Sequence, residues 1–199
     1  KDLHGFVAGL LDGNPVDELA RRADTLNREG LHLRVTRDLD VAKVYLRDRY
    51  AADPQARFGL IASSKDKSLP RFGVMNDFQS TKRVKFGPWY GDADHTYGSQ
   101  SCRLLNSCVT EFGAQGLELD AALLAWGTDL RRHGGRWDNA LSGKYKKGSS
   151  VKDAFQLRIN AYRVLLTRGR DATIVFVPPI AEMDETFQHL RSAGFVELT

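Results

Sequence analysis

The feature that most constrains the fold is the run at residues 58–62, Phe-Gly-Leu-Ile-Ala, which carries no polar side chain at any position and stops at Ser63 and Ser64. A half-exposed strand alternates apolar and polar residues. A short run that does not alternate suits a strand covered on both faces, as in a parallel sheet between helical layers. Residues 119–126 and 173–177 read the same way, the latter closed by Pro178 and Pro179. Between these runs the period is helical. Residues 3–11 put Leu3, Phe6, Val7, Leu10 and Leu11 on one face, residues 16–28 repeat the signal behind Pro15, and residues 38–51 begin with Asp38 at a cap position. Residues 151–167 and 184–192 supply two more helices, with Phe155, Ile159, Tyr162 and Leu166 of the first expected to pack on the sheet; short strands are expected at 31–35, 108–110 and 195–198. Strands alternating with helices predict an α/β fold: a three-layer, open, mostly parallel sheet with helices on both faces.

The chain has 199 residues, 42% hydrophobic and 27% charged, which fits one globular domain and excludes disorder, collagen and coiled coil. No apolar run nears the roughly 20 residues of a membrane helix, and no leader pattern opens the chain, so a cytoplasmic protein without a membrane partner is expected. Cys102 and Cys108 stand six apart with no second pair and read as buried thiols. The chain opens on Lys1, directly in an apolar-periodic stretch, and reads as a piece of a longer protein. Residues 65–101 and 131–150 hold no period and read as insertions, the first too aromatic for disorder.

The net charge is +4, and its distribution is uneven. Residues 65–85 carry six basic side chains against two acidic, and residues 131–158 carry eight against Asp138 and Asp153. Such runs suit a polyanion, and each is equally explained as solvated surface. In the first run Lys82, Arg83 and Lys85 stand beside Phe78, Phe86, Trp89 and Tyr90. That mixture suits a single-stranded path, cations holding phosphates and rings stacking bases; the alternative is that the rings form a small core under a long loop. No histidine has a partner at ligand spacing, so no metal site is assigned.

Two segments carry candidate chemistry. Thr110-Glu111-Phe112-Gly113-Ala114-Gln115-Gly116-Leu117-Glu118 joins two strands, where polar residues either cap backbone groups or meet a ligand. The helix at 151–167 has a polar flank of Gln156, Asn160, Arg163 and Thr167 and is followed by Arg168 and Arg170. The helix macrodipole accounts for cations there, and guanidinium groups at a helix end also suit a phosphoryl group in transfer.

Together the segments resemble motifs V and VI of superfamily 1 helicases: Thr110, Gln115, Gly116 and Glu118 match the first, and Arg163, Thr167 and Arg168 the second, with 53 residues between Gln115 and Arg168. A closer resemblance, carried by "RFGLIASSKDK", "NDFQSTKRVKFGPWY", "VTEFGAQGLELD", "AWGTDLRRHGGRW" and "NAYRVLLTRGRDATIVFVPP", is to the bacterial family called domain of unknown function 2075, grouped with the helicase domain of group III Schlafen proteins. The family's phosphate-binding Gly-rich loop with its Lys has no counterpart in this sequence, so the chain is similar to the second, C-terminal RecA-like domain of a P-loop NTPase helicase.

The resemblance implies the C-terminal half of an ATP-dependent nucleic-acid helicase or translocase. Arg168 would be the arginine finger on the γ-phosphate, supported by Arg163. Gln115, Gly116 and Glu118 would meet the nucleotide, and Thr110 a phosphate of single-stranded DNA or RNA. ATP and Mg²⁺ would be held with an N-terminal RecA-like domain of the same parent chain. Phe112 departs from the pattern, which usually has a polar residue there. Two alternatives stand beside this reading: a metal-dependent nuclease built on Glu111, Glu118 and Asp120, and a non-hydrolysing regulatory domain that keeps the fold.

Overall fold

A computed structural model describes residues 1–199. Two helices open the chain: α1 (Leu3–Asp12), capped by the Asp2 carboxylate on the Gly5 amide, and α2 (Val16–Arg28), begun at Pro15. β1 (His32–Thr36) leads into α3 (Leu39–Arg49), where Asp38 accepts from the amides of Asp40 and Val41, as its cap position predicts. β2 (Phe58–Ala62) is buried at every residue. A long segment with two short helices, α4 (Phe78–Lys82) and α5 (Phe86–Gly91), reaches β3 (Cys108–Thr110), and one helical turn, α6 (Glu111–Ala114), returns the chain to β4 (Leu119–Ala125). A hairpin of β5 (Arg131–His133) and β6 (Arg136–Asp138) precedes α7 (Ala154–Leu166), β7 (Gly169–Phe176), α8 (Asp184–Ser192) and β8 (Val196–Glu197).

Six strands form one sheet in the order β3-β2-β4-β7-β1-β8, and every neighbouring pair is parallel. Side chains alternate between its faces. Phe58, Leu60, Leu123, Ile174 and Phe176 point to a core under α3, while Ile61, Leu124 and Val175 point to a larger core under α1, α2, α7 and α8. This is the three-layer, RecA-like α/β arrangement. Cys102 and Cys108 are free, buried thiols. No helix is long and apolar enough to cross a membrane.

Several expectations shift. The helix expected at 151–167 ends at Leu166, and the strand expected at 173 starts at Gly169, because Gly169 already pairs with Leu119 of β4. Arg170 therefore lies in a strand rather than at a helix end, and its Nε donates to Asp120 at 2.8 Å. Phe155 is 38% exposed; α7 packs instead through Ile159, Tyr162, Leu165 and Leu166, and it also buries Arg158. The first insertion is ordered by its own core residues: Leu69 and Val74 join the α3 side and Trp89 the other side. In the second, Trp137 stacks on Trp126 with ring centroids 5.3 Å apart and donates its Nε1–H to the Leu10 carbonyl.

Candidate functional site

The candidate residues divide between the two ends of the central strands. Register sets the distance: Thr110 is level with Ala62, and Ala62 with Ala125, five residues beyond Asp120 on β4, about 16 Å at ~3.3 Å per residue.

At the N-terminal end of β4 and β7, the turn after α6 carries Gln115 and Gly116, the latter at φ +78°, and delivers Leu117 and Glu118 to the strand. Gln115, Gly116 and Glu118 are exposed. Arg168 closes over this turn. Its Nη1 donates to the carbonyls of Ala114 and Leu117, both at 3.1 Å, its Nε to Val164 at 2.8 Å, and its Nη2 to the Thr167 hydroxyl at 3.0 Å. The two motif-like segments, 51 to 54 residues apart at these contacts, thus meet through one guanidinium. Burial lowers the Arg168 pKa, and the charge of Glu118 opposes that shift, which places the Glu118 carboxylate within electrostatic reach. Arg163 reaches away from this turn, toward Asp12 of α1 at 3.8 Å. The expectation that arginines project freely from the helix end is corrected: Arg168 folds back and Arg170 pairs with Asp120.

At the C-terminal end, Thr110 is buried where β3 turns into α6. Behind it lies a buried polar network that the sequence reading missed. Glu111 accepts from the Ser64 amide at 2.8 Å and the Ser64 hydroxyl at 2.7 Å. Arg158, 3% exposed, donates to the Ser63 hydroxyl at 2.7 Å and stands 3.4 Å from Glu111 and 3.5 Å from Asp129. Asp129 in turn accepts from Ser63 at 2.5 Å and from the Tyr162 hydroxyl at 2.6 Å. Burial pushes the Asp129 carboxyl up to about 6, against the lowering effect of those two hydroxyl donors. Burial likewise holds the Tyr162 phenol well above its ordinary range. The only signal available in the sequence was Ser63, the first polar residue after an apolar strand, in the place where open α/β sheets gather ligands and polar networks.

The nuclease alternative loses its geometry. Glu111 belongs to the C-terminal network, whereas Asp120 lies at the opposite end, taken by Arg170 and by the Arg57 amide at 2.6 Å. No three His, Cys, Asp or Glu side chains stand close enough to hold one metal ion.

The expected single-strand path is partly overturned. Lys82, Arg83 and Lys85 are exposed on and after α4, and Tyr90 is exposed, its hydroxyl donating to the Glu118 carbonyl at 3.1 Å. Trp89 is completely buried. The Cζ2–Cη2 edge of its indole packs so close to Gly59 of β2 that a Cβ there would stand 2.6 Å from Cζ2, and with the whole side chain buried no ring face is left for a base and its role is packing. The exposed rings near this surface are Phe78, Phe86, Tyr90 and Phe112, the last 74% exposed beside Thr110.

No curated protein and no solved structure matches the chain. A family model described as Schlafen group 3, DNA/RNA helicase domain, matches residues 1–179, through both strand-end sites and both insertions. On that match, the chain belongs to the Schlafen group 3 DNA/RNA helicase domain family.

Proposed function

We propose that this chain is the second RecA-like half of an ATP-dependent nucleic-acid motor. The observation that supports the reading most is the clasp of Arg168 on the Ala114 and Leu117 carbonyls, which joins the motif V-like turn to the end of the motif VI-like helix at one corner. In this reading an N-terminal RecA-like domain of the same parent chain binds ATP and Mg²⁺ and presents the γ-phosphate to that corner. Gln115, Gly116 and Glu118 are exposed there to meet the nucleotide, and Glu118 accepts a ribose hydroxyl. Arg168 serves as the finger by exchanging carbonyl acceptors for phosphate oxygens, since an anionic phosphate adds opposite charge and a bidentate fit to the guanidinium that neutral carbonyls lack. Arg163 supports domain closure. Thr110, Lys82, Arg83, Lys85 and Tyr90 contact a single strand of DNA or RNA.

One observation favours a non-hydrolysing regulatory domain: Arg168 already has four acceptors within the chain. Turnover separates the two readings. With the phosphate-binding half restored, Arg168→Ala is expected to lower ATP hydrolysis by about 10³ to 10⁵ while nucleotide binding changes far less. Equal losses in both, or no hydrolysis by the restored wild type, would favour the regulatory reading.

A further inference from the structure

The second basic insertion plays no part in the reading above, yet the fold brings it against the first. The Gly143 amide donates to the Lys65 carbonyl at 2.8 Å, and the Lys65 ammonium sits 4.2 Å from the centre of the Tyr145 ring. Tyr145 and Lys144 wall a cavity of about 270 Å³ together with Asn139, Ser142, Gly143, Val151 and Ala154, and Lys65 stands at its rim through its contacts with Tyr145 and Gly143. The Tyr145 hydroxyl accepts from Arg158 Nη2 at 3.2 Å, so the buried network fixes this wall from behind.

The local charge balance is one-sided. Asp66 is satisfied inward by the Thr128, Ser68 and Leu69 amides, Glu111 by Ser64, and Asp129 by Ser63 and Tyr162, while Asp138 and Asp153, next to lining residues, accept from the Ala140 and Gln156 amides. Lys65, Lys67, Lys144, Lys146 and Lys147 form no salt bridge. The outward face therefore carries more lysines than carboxylates around a cavity of mixed lining, polar at Asn139, Ser142 and Lys144 and apolar at Tyr145, Val151 and Ala154. Its volume falls short of the about 300 to 1,000 Å³ that enclose a whole small ligand, and suits a phosphate with part of its sugar.

We propose that this cavity is a second phosphodiester-binding site, in which Lys65 and Lys144 hold a backbone phosphate of a single strand and Tyr145 lies against the adjoining sugar or base. The site is continuous with Thr110, because Ser64, next to Lys65, is bonded to Glu111, next to Thr110. The proposal deepens the motor reading and rests on it: a strand held by Lys65 and Lys144 lies at the C-terminal edge of the sheet, beside the end of β3 at Thr110, whereas Arg83 stands near Asn106 and Ser107 at the start of β3.

The test uses this chain and a labelled 20-nucleotide oligothymidylate, titrated from 50 to 300 mM salt. Lys65→Gln with Lys144→Gln is expected to leave the melting temperature unchanged, to reduce the slope of log K against log salt by about 0.7 per lost contact, and to weaken binding on the order of tenfold or more at the lowest salt. A 5-iodouracil oligomer is expected to crosslink wild-type Tyr145, a readout independent of variant folding. If the double variant binds like wild type, or the crosslink falls elsewhere, while Lys82→Gln, Arg83→Gln and Lys85→Gln together still flatten the slope, this site is overturned and the motor reading stands. If wild type shows no salt-dependent binding, nucleic-acid contact by this domain is overturned as a whole. Inorganic phosphate alone supplies the last arm: shifts in the amide resonances of residues 142–145 with phosphate but not with the oligomer would make this a small-anion site and overturn the proposal.

Discussion

At the N-terminal end of β4 and β7, Arg168 is half-buried and gives its protons to neutral carbonyls and a hydroxyl, whereas at the C-terminal end Arg158 is buried between Glu111 and Asp129. The first arrangement can be exchanged: water or a phosphate can replace each carbonyl, and the carbonyls can turn to water. The second cannot, because releasing Arg158 leaves two carboxylates with little or no access to solvent. One end of the sheet is therefore suited to changing partners, the other to holding the strand ends and loops rigid beneath whatever binds on them.

The comparison is broken most directly at Arg158. Arg158→Met keeps much of the side-chain volume and removes the charge, and it is expected to cost about 3 to 5 kcal/mol, since the remaining buried carboxylates lose their counter-ion. For a chain of this size that is a fall of roughly 6 to 20 °C in melting temperature. A loss under about 1 kcal/mol in urea denaturation would show that the network is wetter than its burial indicates. At the other end, Arg168→Ala is expected to cost about 1 to 3 kcal/mol, toward the lower value because water replaces part of what is lost. Hydrogen exchange should quicken at residues 115–117 and stay unchanged at 63–66. Should Arg168→Ala prove the costlier of the two, the division between an exchangeable end and a fixed end fails.

The same contrast explains what could be read from the sequence. The exchangeable end was legible because its residues stand in two compact motifs, and the strands because a run such as residues 58–62 has few alternatives. The fixed end was not, because it joins Ser63, Glu111, Asp129 and Arg158 across as many as 95 positions, and no local pattern marks a lysine- and arginine-rich stretch as holding one inward-facing cation. Arg158 was counted with the solvated charges for that reason. For Trp89 the sequence left a stacking ring and a small loop core both open, because its neighbours are cationic and exposed, and the space over Gly59 on a distant strand decides for core. The hairpin in the second insertion did leave a local signal. Gly134 and Gly135, at φ +59° and +80°, are the paired glycines that a tight hairpin turn demands, and their amides donate to Glu185 at 3.0 and 2.7 Å.

The smallest expected effect concerns protons and probes the fixed end without dismantling it. Asp129 keeps its proton up to about pH 6 in the folded chain, because burial outweighs the Ser63 and Tyr162 hydrogen bonds, against 3.8 for an ordinary aspartate. A carboxyl raised on folding contributes stability that is complete below about pH 4 and is lost as pH climbs through 6. Asp129→Asn carries no titrating proton, and the Ser63 and Tyr162 hydroxyls can rotate to meet its amide. The stability of the variant relative to wild type should therefore rise between pH 4 and 6 and level off above 7. Groups that shift the other way, such as His189, lowered to about 4 by burial and by Arg132, and Asp94, held down by Arg103, are common to both proteins and cancel in the difference. Urea denaturation of both across pH 4 to 8 gives that difference directly. A flat line would mean that Asp129 ionises as it does in water, and that the C-terminal end is as accessible to solvent as the corner around Arg168.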